Sequence, residues 1–400
     1  MKKGTAVASK QSQDLRRLGT VLLLGMVAGA GVRYYINSRA RVAGRAPTRL
    51  IDWAQARSVA LRISQWEQHP VDDRNARRAQ YADLQQRSEP LIADYLQVQL
   101  PPTGNRVYVF DRREWLDANL QSFERLFEPI EKLYLRNRGS NAVAGVLGEL
   151  NSKFIGAQIG VLLGVLARRV LGQYDLSLLS PEPSVGGALY YVEPNISRVQ
   201  RQLGLNDEDF RLWIALHETT HAFEFEAYPW VRQHFNGLIQ QYFDQLNTQL
   251  ESMGSNLAQL ITRLLQRRGA GNNEHWIELM LTPQQRALFE QLQAIMSLVE
   301  GYSNHIMNAI GRRLLPSFDQ IEQRVESRQR NRTLFEQVFN RVTGMDLKLA
   351  QYQQGEAFVN AVVNARGIAF ASRVWERAEH LPTLAEIRAP QQWIERMDRM

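Results

Sequence analysis

Four hundred residues with 44% hydrophobic content can bury a sizeable core, and they suit one large domain or two smaller ones rather than a small module. The chain has no cysteine, which excludes disulfides, thiolate metal sites, iron–sulfur clusters and cysteine nucleophiles; any metal must be held by His, Asp or Glu. The net charge of +7 belongs to the start of the chain: residues 1–50 carry ten Lys or Arg against Asp14 alone, a balance of +9 that leaves −2 for the rest, so the body offers no footprint for a nucleic-acid backbone.

The first predicted element is a basic segment over residues 1–45. Its apolar run, residues 18–32, falls short of the roughly 20 residues that span a bilayer, although extension through Arg33 to Ile36 brings it near that length. Basic residues precede the run and small residues end it, as in a signal peptide, but basic residues also follow it, so no orientation is given. Two readings stand: a signal or single anchor, with membrane association through residues 18–36, and a Gly-rich N-terminal helix on a cytoplasmic protein, which is preferred.

Residues 46–400 read as one mainly α-helical domain with a few short strands. "IDWAQARSVALRISQWE" has helical spacing with Asp52 supporting the first turn, and residues 107–110 form a short β-like run before a further helix. In "FIGAQIGVLLGVLARRVLGQYD", Gly156, Gly160 and Gly164 share one face, where another helix can approach closely. Gln158, Arg168 and Arg169 favour a buried helix over a membrane span. "PEPSVGG" is a loop, "ALYYVEPN" a strand stopped by Pro194, and "RRGAGNNEH" the most plausible internal break, near residues 268–274.

"NDEDFRLWIALHETTHAFEFEAYPW" concentrates the chemistry. Asn206 and Asp207 supply an N-cap and an acidic first turn, and Pro229 disfavours continuation, so a helix should run to about Ala227 or Tyr228. Phe210, Ile214, His217 and His221 then share its inward face. Two imidazoles one turn apart can converge on a zinc ion, and Glu218, about 100° round from His217, can take a proton from a water at that ion. From composition, on the order of 0.01 such matches arise by chance. The alternative is a pair of hydrogen-bonded core histidines.

A catalytic zinc site needs a third protein ligand. Glu224 and Ala227 stand where an extended motif would require Gly and His, so Glu224 is better placed to hold a liganding histidine or a neighbouring Arg. The best source is "LTPQQRALFEQLQAIMSLVEGYSNHIMNAIG", where Thr282, Pro283 and Gln285 start a helix with a capping box. Glu300 follows an apolar run, where an unpaired carboxylate is costly to bury, and Gly301 beside it suits close helix approach. His305 points about 140° from Glu300 in a regular helix, so both are not expected on one ion. Glu300 is the preferred ligand. His305 is the alternative, or the first candidate to contact substrate or stabilise an oxyanion, ahead of Tyr302, Tyr174 and Tyr352.

Through "IDWAQA", "VFDRREWLDANLQSFERL", "GAQIGVLLGVLARRVLGQYD", "FRLWIALHETTHAFEF", "EGYSNHIMNAI", "MDLKLAQYQQGEAFV" and "LPTLAEIRAPQQWIERM", the chain resembles the zincin-like metallopeptidase type 2 family over most of residues 50–400. The resemblance implies a zincin-like domain, Zn2+ held by His217 and His221, Glu218 as general base and a peptide or protein substrate. It also implies an acidic residue and a histidine near positions 304 and 305, where this chain has Asn304 and His305, and an acidic residue at position 308, where it has Asn308. A strand before the site helix, as "ALYYVEPN" stands here, would by analogy be an edge strand able to pair with an extended peptide. Two further readings are a zinc-stabilised scaffold without turnover and a membrane-associated processing factor.

Overall fold

The described residues fold mainly into α-helices, with three short strands between them. The computed structural model describes residues 49–68, 70–100, 106–136, 142–174, 187–253, 282–330 and 345–400. The basic segment 1–45, most of the PEPSVGG loop and the break near 268–274 lie outside the described residues. Among the described residues, no helix is long and apolar enough to cross a membrane.

Helix α1 (Trp53–Ser64) starts at Asp52, whose side chain accepts a hydrogen bond from the Gln55 backbone. It lies against α4 (Ala142–Ala167) along the glycine stripe: a Cβ on Gly156 or Gly160 would overlap the Asp52 or Ala56 carbonyl oxygen, and one on Gly164 would stand 2.8 Å from the Ala60 carbonyl oxygen. The stripe therefore sets a close crossing of two helices, not a lipid-facing surface. Between them in sequence come α2 (Arg74–Leu96), β1 (Val107–Phe110) and α3 (Arg112–Arg136).

The sheet has the order β1, β3 (Leu189–Val192), β2 (Gly172–Tyr174). Here the analogy with an edge strand fails. β3 is central: it pairs in parallel with β1, Val107 opposite Leu189, and antiparallel with β2, Gly172 opposite Tyr191. Both its hydrogen-bonding edges are used, so it cannot accept a peptide, and among the described residues the strand with a single neighbour beside the site helix is β2. Leu189, Tyr191 and Val192 are buried, as a central strand between helices requires.

Helix α5 (Glu193–Leu203) follows β3 directly, with Pro194 in its first turn. The site helix α6 (Asp207–Ala222) starts at Asn206, whose side chain accepts from the Asp209 backbone. It ends five residues before Ala227: residues Phe223–Ala227 are π-helical, and Pro229 opens α7 (Pro229–Met253) instead of merely ending α6. Fully buried Arg211 ties α6 to the start of α5 and to α2. It donates to both Glu193 carboxylate oxygens, at 2.6 and 2.9 Å, while Tyr81 of α2 donates to Glu193 at 2.7 Å. Each member of this network has a partner, which is what makes a buried charge tolerable.

Helix α8 (Pro283–Leu314) begins with the Thr282–Gln285 capping box and packs on α6, α7 and α10 (Met345–Arg366); α9 (Phe318–Arg330) lies between α8 and α10 in sequence. At the α8–α10 crossing a Cβ on Gly301 would overlap the Gly355 backbone, so the glycine beside Glu300 serves the approach of α10. One large core joins α2, the sheet, α6, α8 and α10 to the C-terminal helix Pro390–Arg399 through Phe358 and Trp393.

Candidate metal centre

The Nε2 atoms of His217 and His221, one turn apart on α6, are 3.3 Å from each other, with the ring planes at 83°. Glu300 comes from α8, and its Oε2 is 3.7 Å from His217 Nε2. One donor atom from each of these three side chains lies within 4.8 Å of the others.

The surrounding contacts orient the imidazoles. His221 Nδ1 is 2.8 Å from Glu224 Oε2 in the π-helical segment, and Ser303 Oγ stands 3.1 Å from both Glu224 Oε1 and His221 Nδ1. With Nδ1–H donated to this carboxylate, neutral His221 turns the lone pair of Nε2 toward His217. Ser303 was not among the residues singled out from sequence. Its signal was its place three residues after Glu300, on the same helix face.

Glu218, 6% exposed, lies on the side of α6 that faces β2. The Tyr174 backbone N–H donates to its carboxylate, and a Cβ on Gly172 would stand 2.5 Å from its Oε1. His217, Glu218 and Glu300 open into one cavity of about 380 Å³, walled in part by Trp213, Asn304 and Met307.

His305 is not brought to this cavity. Its Nε2 meets the Tyr95 hydroxyl at 2.8 Å and its Nδ1 meets Asn360 Oδ1 at 2.6 Å, so both ring nitrogens are engaged between α2 and α10. Five residues along a helix carry it round to the wrong side. Tyr174 donates to Glu226 at 3.0 Å and stacks on Phe225, and buried Tyr302 bonds Ser372 at 2.7 Å. The Tyr352 side chain lies outside the described residues. Asn308 donates to Glu356 at 2.8 Å on the far wall of the cavity.

Burial governs the protonation of the cluster. It lowers His217 to about 3, with the charge on His221 adding to the effect. Burial would also lower His221, but Glu224, then Glu300 and Glu218, outweigh it and raise that imidazole to about 9. Glu218 is pushed up to about 7 by burial, with Glu300 raising it further against the pull of His221 and the Tyr174 N–H. Without a metal, the imidazole pair therefore carries one positive charge at neutral pH, on His221.

The family described as zincin-like metallopeptidase matches residues 51–394. The chain belongs to that family. A solved structure from Chloroflexus aurantiacus, described as "a putative hydrolase with a novel fold", is 59% identical; the match covers 88% of this chain and 100% of that one, with a TM-score of 0.66. No curated protein matches. Membership in the zincin-like metallopeptidases implies a metal, and His217, His221 and Glu300 are the described residues grouped to hold one.

The donors fit such an ion. Two nitrogens bound to tetrahedral zinc at about 2.05 Å are about 3.3 Å apart, the Nε2 separation found here. Two imidazole lone pairs directed at each other, on half-buried His217 and buried His221, need a proton or a cation between them. Because a metal takes the neutral imidazole, it must displace the proton that His221 holds below about pH 9. Zinc affinity is therefore expected to rise about tenfold per pH unit from 7 toward 9 and to weaken on acidification, with about one proton released at pH 7. Calorimetric titrations in buffers of differing ionisation enthalpy measure both, and an affinity that is flat with pH contradicts the assignment.

Proposed function

We propose that this zincin-like protein is a zinc-dependent peptidase in which His217, His221 and Glu300 hold the ion and Glu218 is the general base. The observation that carries the reading is the convergence of the three donors, two of which, His217 and Glu300, line a cavity that also contains Glu218. Zinc bound there would supply Lewis acidity, which acidifies water and polarises a carbonyl.

The residues of the chain do the rest. Glu218 accepts a proton from the attacking water and returns it to the leaving amine, a task for which its place on the cavity wall beside His217 and Glu300 suits it. Glu224 and Ser303 hold the His221 ring, so the nitrogen presented to the ion is Nε2. An extended peptide would lie along β2, whose residue Gly172 lines the cavity, rather than along β3.

The test is metal content beside peptide cleavage. Purified, folded protein is expected to hold close to one equivalent of zinc and to cleave peptides from a proteome-derived library, with cleavage lost on chelation and restored by zinc. Less than about a tenth of an equivalent after incubation with zinc would sink the reading, since a three-donor site should stay occupied.

A further inference from the structure

The hydroxyl of Tyr191 is a polar group near the site that the mechanism above leaves unused. Tyr191 sits on the central strand with no exposed surface, and its oxygen has no hydrogen-bond partner among the described residues. A buried hydroxyl left unpaired costs about 1–3 kcal/mol, and phenylalanine would fill the same space without that cost. Packing alone therefore accounts for the ring but not for the oxygen.

The neighbours of the ring point to one partner. Tyr191 is stacked on Tyr81 with centroids 4.0 Å apart and planes at 5°, and Tyr81 is itself fixed by Glu193 and Arg211. The ring thus has little freedom. Directly across the β2–β3 ladder from Tyr191 is Gly172, and residues directly opposite in a ladder project to the same face. On that face a Gly172 side chain would run into the Glu218 carboxylate. Tyr191 and Glu218 therefore share the space between the sheet and α6, and the charge of Glu218, after burial, helps hold the Tyr191 phenol protonated. A pinned donor thus stands beside a carboxylate on a flexible stem whose described hydrogen bond is to the Tyr174 N–H.

We infer that Tyr191 is a positioning residue for Glu218: a short swing of the carboxylate brings it onto the Tyr191 hydroxyl, and this hydrogen bond fixes the rotamer from which the base works. The role rests on the peptidase reading above, whereas the contact does not. Tyr191 touches neither metal nor substrate. Its hydroxyl donates to one carboxylate oxygen and leaves the other free for the proton of the attacking water. Gly172 is the complementary part, since any side chain there would overlap the Glu218 carboxylate.

A double-mutant cycle tests the contact. Tyr191→Phe keeps the stacked ring, so it should fold, and Glu218→Gln changes the partner. The Tm shift caused by Tyr191→Phe is expected to differ by about 2 °C or more between the wild-type and Glu218→Gln backgrounds. On a peptide that the wild type cleaves, zinc content should be unchanged, kcat should fall by roughly thirtyfold and KM should stay within about twofold. Additive Tm shifts overturn the inference whatever the kinetics, and so does an unchanged kcat. If the zinc-loaded wild type cleaves no peptide, the peptidase reading fails and the positioning role with it. The cycle separates that failure from a failure of the contact itself.

Discussion

Glu218→Gln is expected to keep about one equivalent of zinc while kcat for peptide cleavage falls about a thousandfold. The substitution preserves shape, and its carbonyl oxygen can still accept the Tyr174 N–H that meets the carboxylate. Glu218 is not one of the three converging donors, so removing its charge leaves His217, His221 and Glu300 in place. What the amide cannot do is take a proton from water. Loss of turnover with retained metal therefore assigns proton transfer to Glu218, and it separates a peptidase from a zinc-stabilised scaffold, which would keep its function in this variant. Metal content, Tm and steady-state rates on the same preparation decide the matter. An unchanged rate would move the general base to another residue.

The parts of the fold legible in the sequence are those fixed by local chemistry. Asn206 starts α6 and the Thr282–Gln285 capping box starts α8 because a cap is satisfied within four residues. The glycine stripe of α4 marked a close helix crossing, although its partner, α1, could not be read from the stripe alone. Glu300 was legible as a carboxylate stranded after an apolar run. Strand order was not legible: β3 pairs with β1 about 80 residues earlier in the chain, and nothing within the four residues of β3 encodes its neighbours. The π-helical segment after His221 was hidden for a related reason, since "FEFEA" has no breaker and its widened turn is set by the packing of Phe223 and Phe225 and by the contact of Glu224 with His221 and Ser303. His305 shows the limit most clearly. Its proximity in sequence to Glu300 drew attention to it, but its partners Tyr95 and Asn360 come from two distant helices.

Glu300→Ala and His305→Ala are expected to separate completely in metal binding. A structural zinc site yields about 10–16 kcal/mol from all its donors together, so removing one of them should cost about 3 kcal/mol, more than a hundredfold in affinity. Glu300 is the only donor of the three from outside α6, and its loss leaves two imidazoles of one helix to hold the ion. His305→Ala touches none of the donors. It strands the Tyr95 hydroxyl and the Asn360 amide, which should lower stability by about 1–3 kcal/mol while zinc stays at about one equivalent. Competition with a chelator of known affinity reads the first effect, and urea unfolding of the metal-free proteins reads the second. The opposite result, with zinc lost from His305→Ala and kept by Glu300→Ala, would require α8 to turn by about 140°, which the packing of Gly301 on Gly355 does not allow without separating α8 from α10.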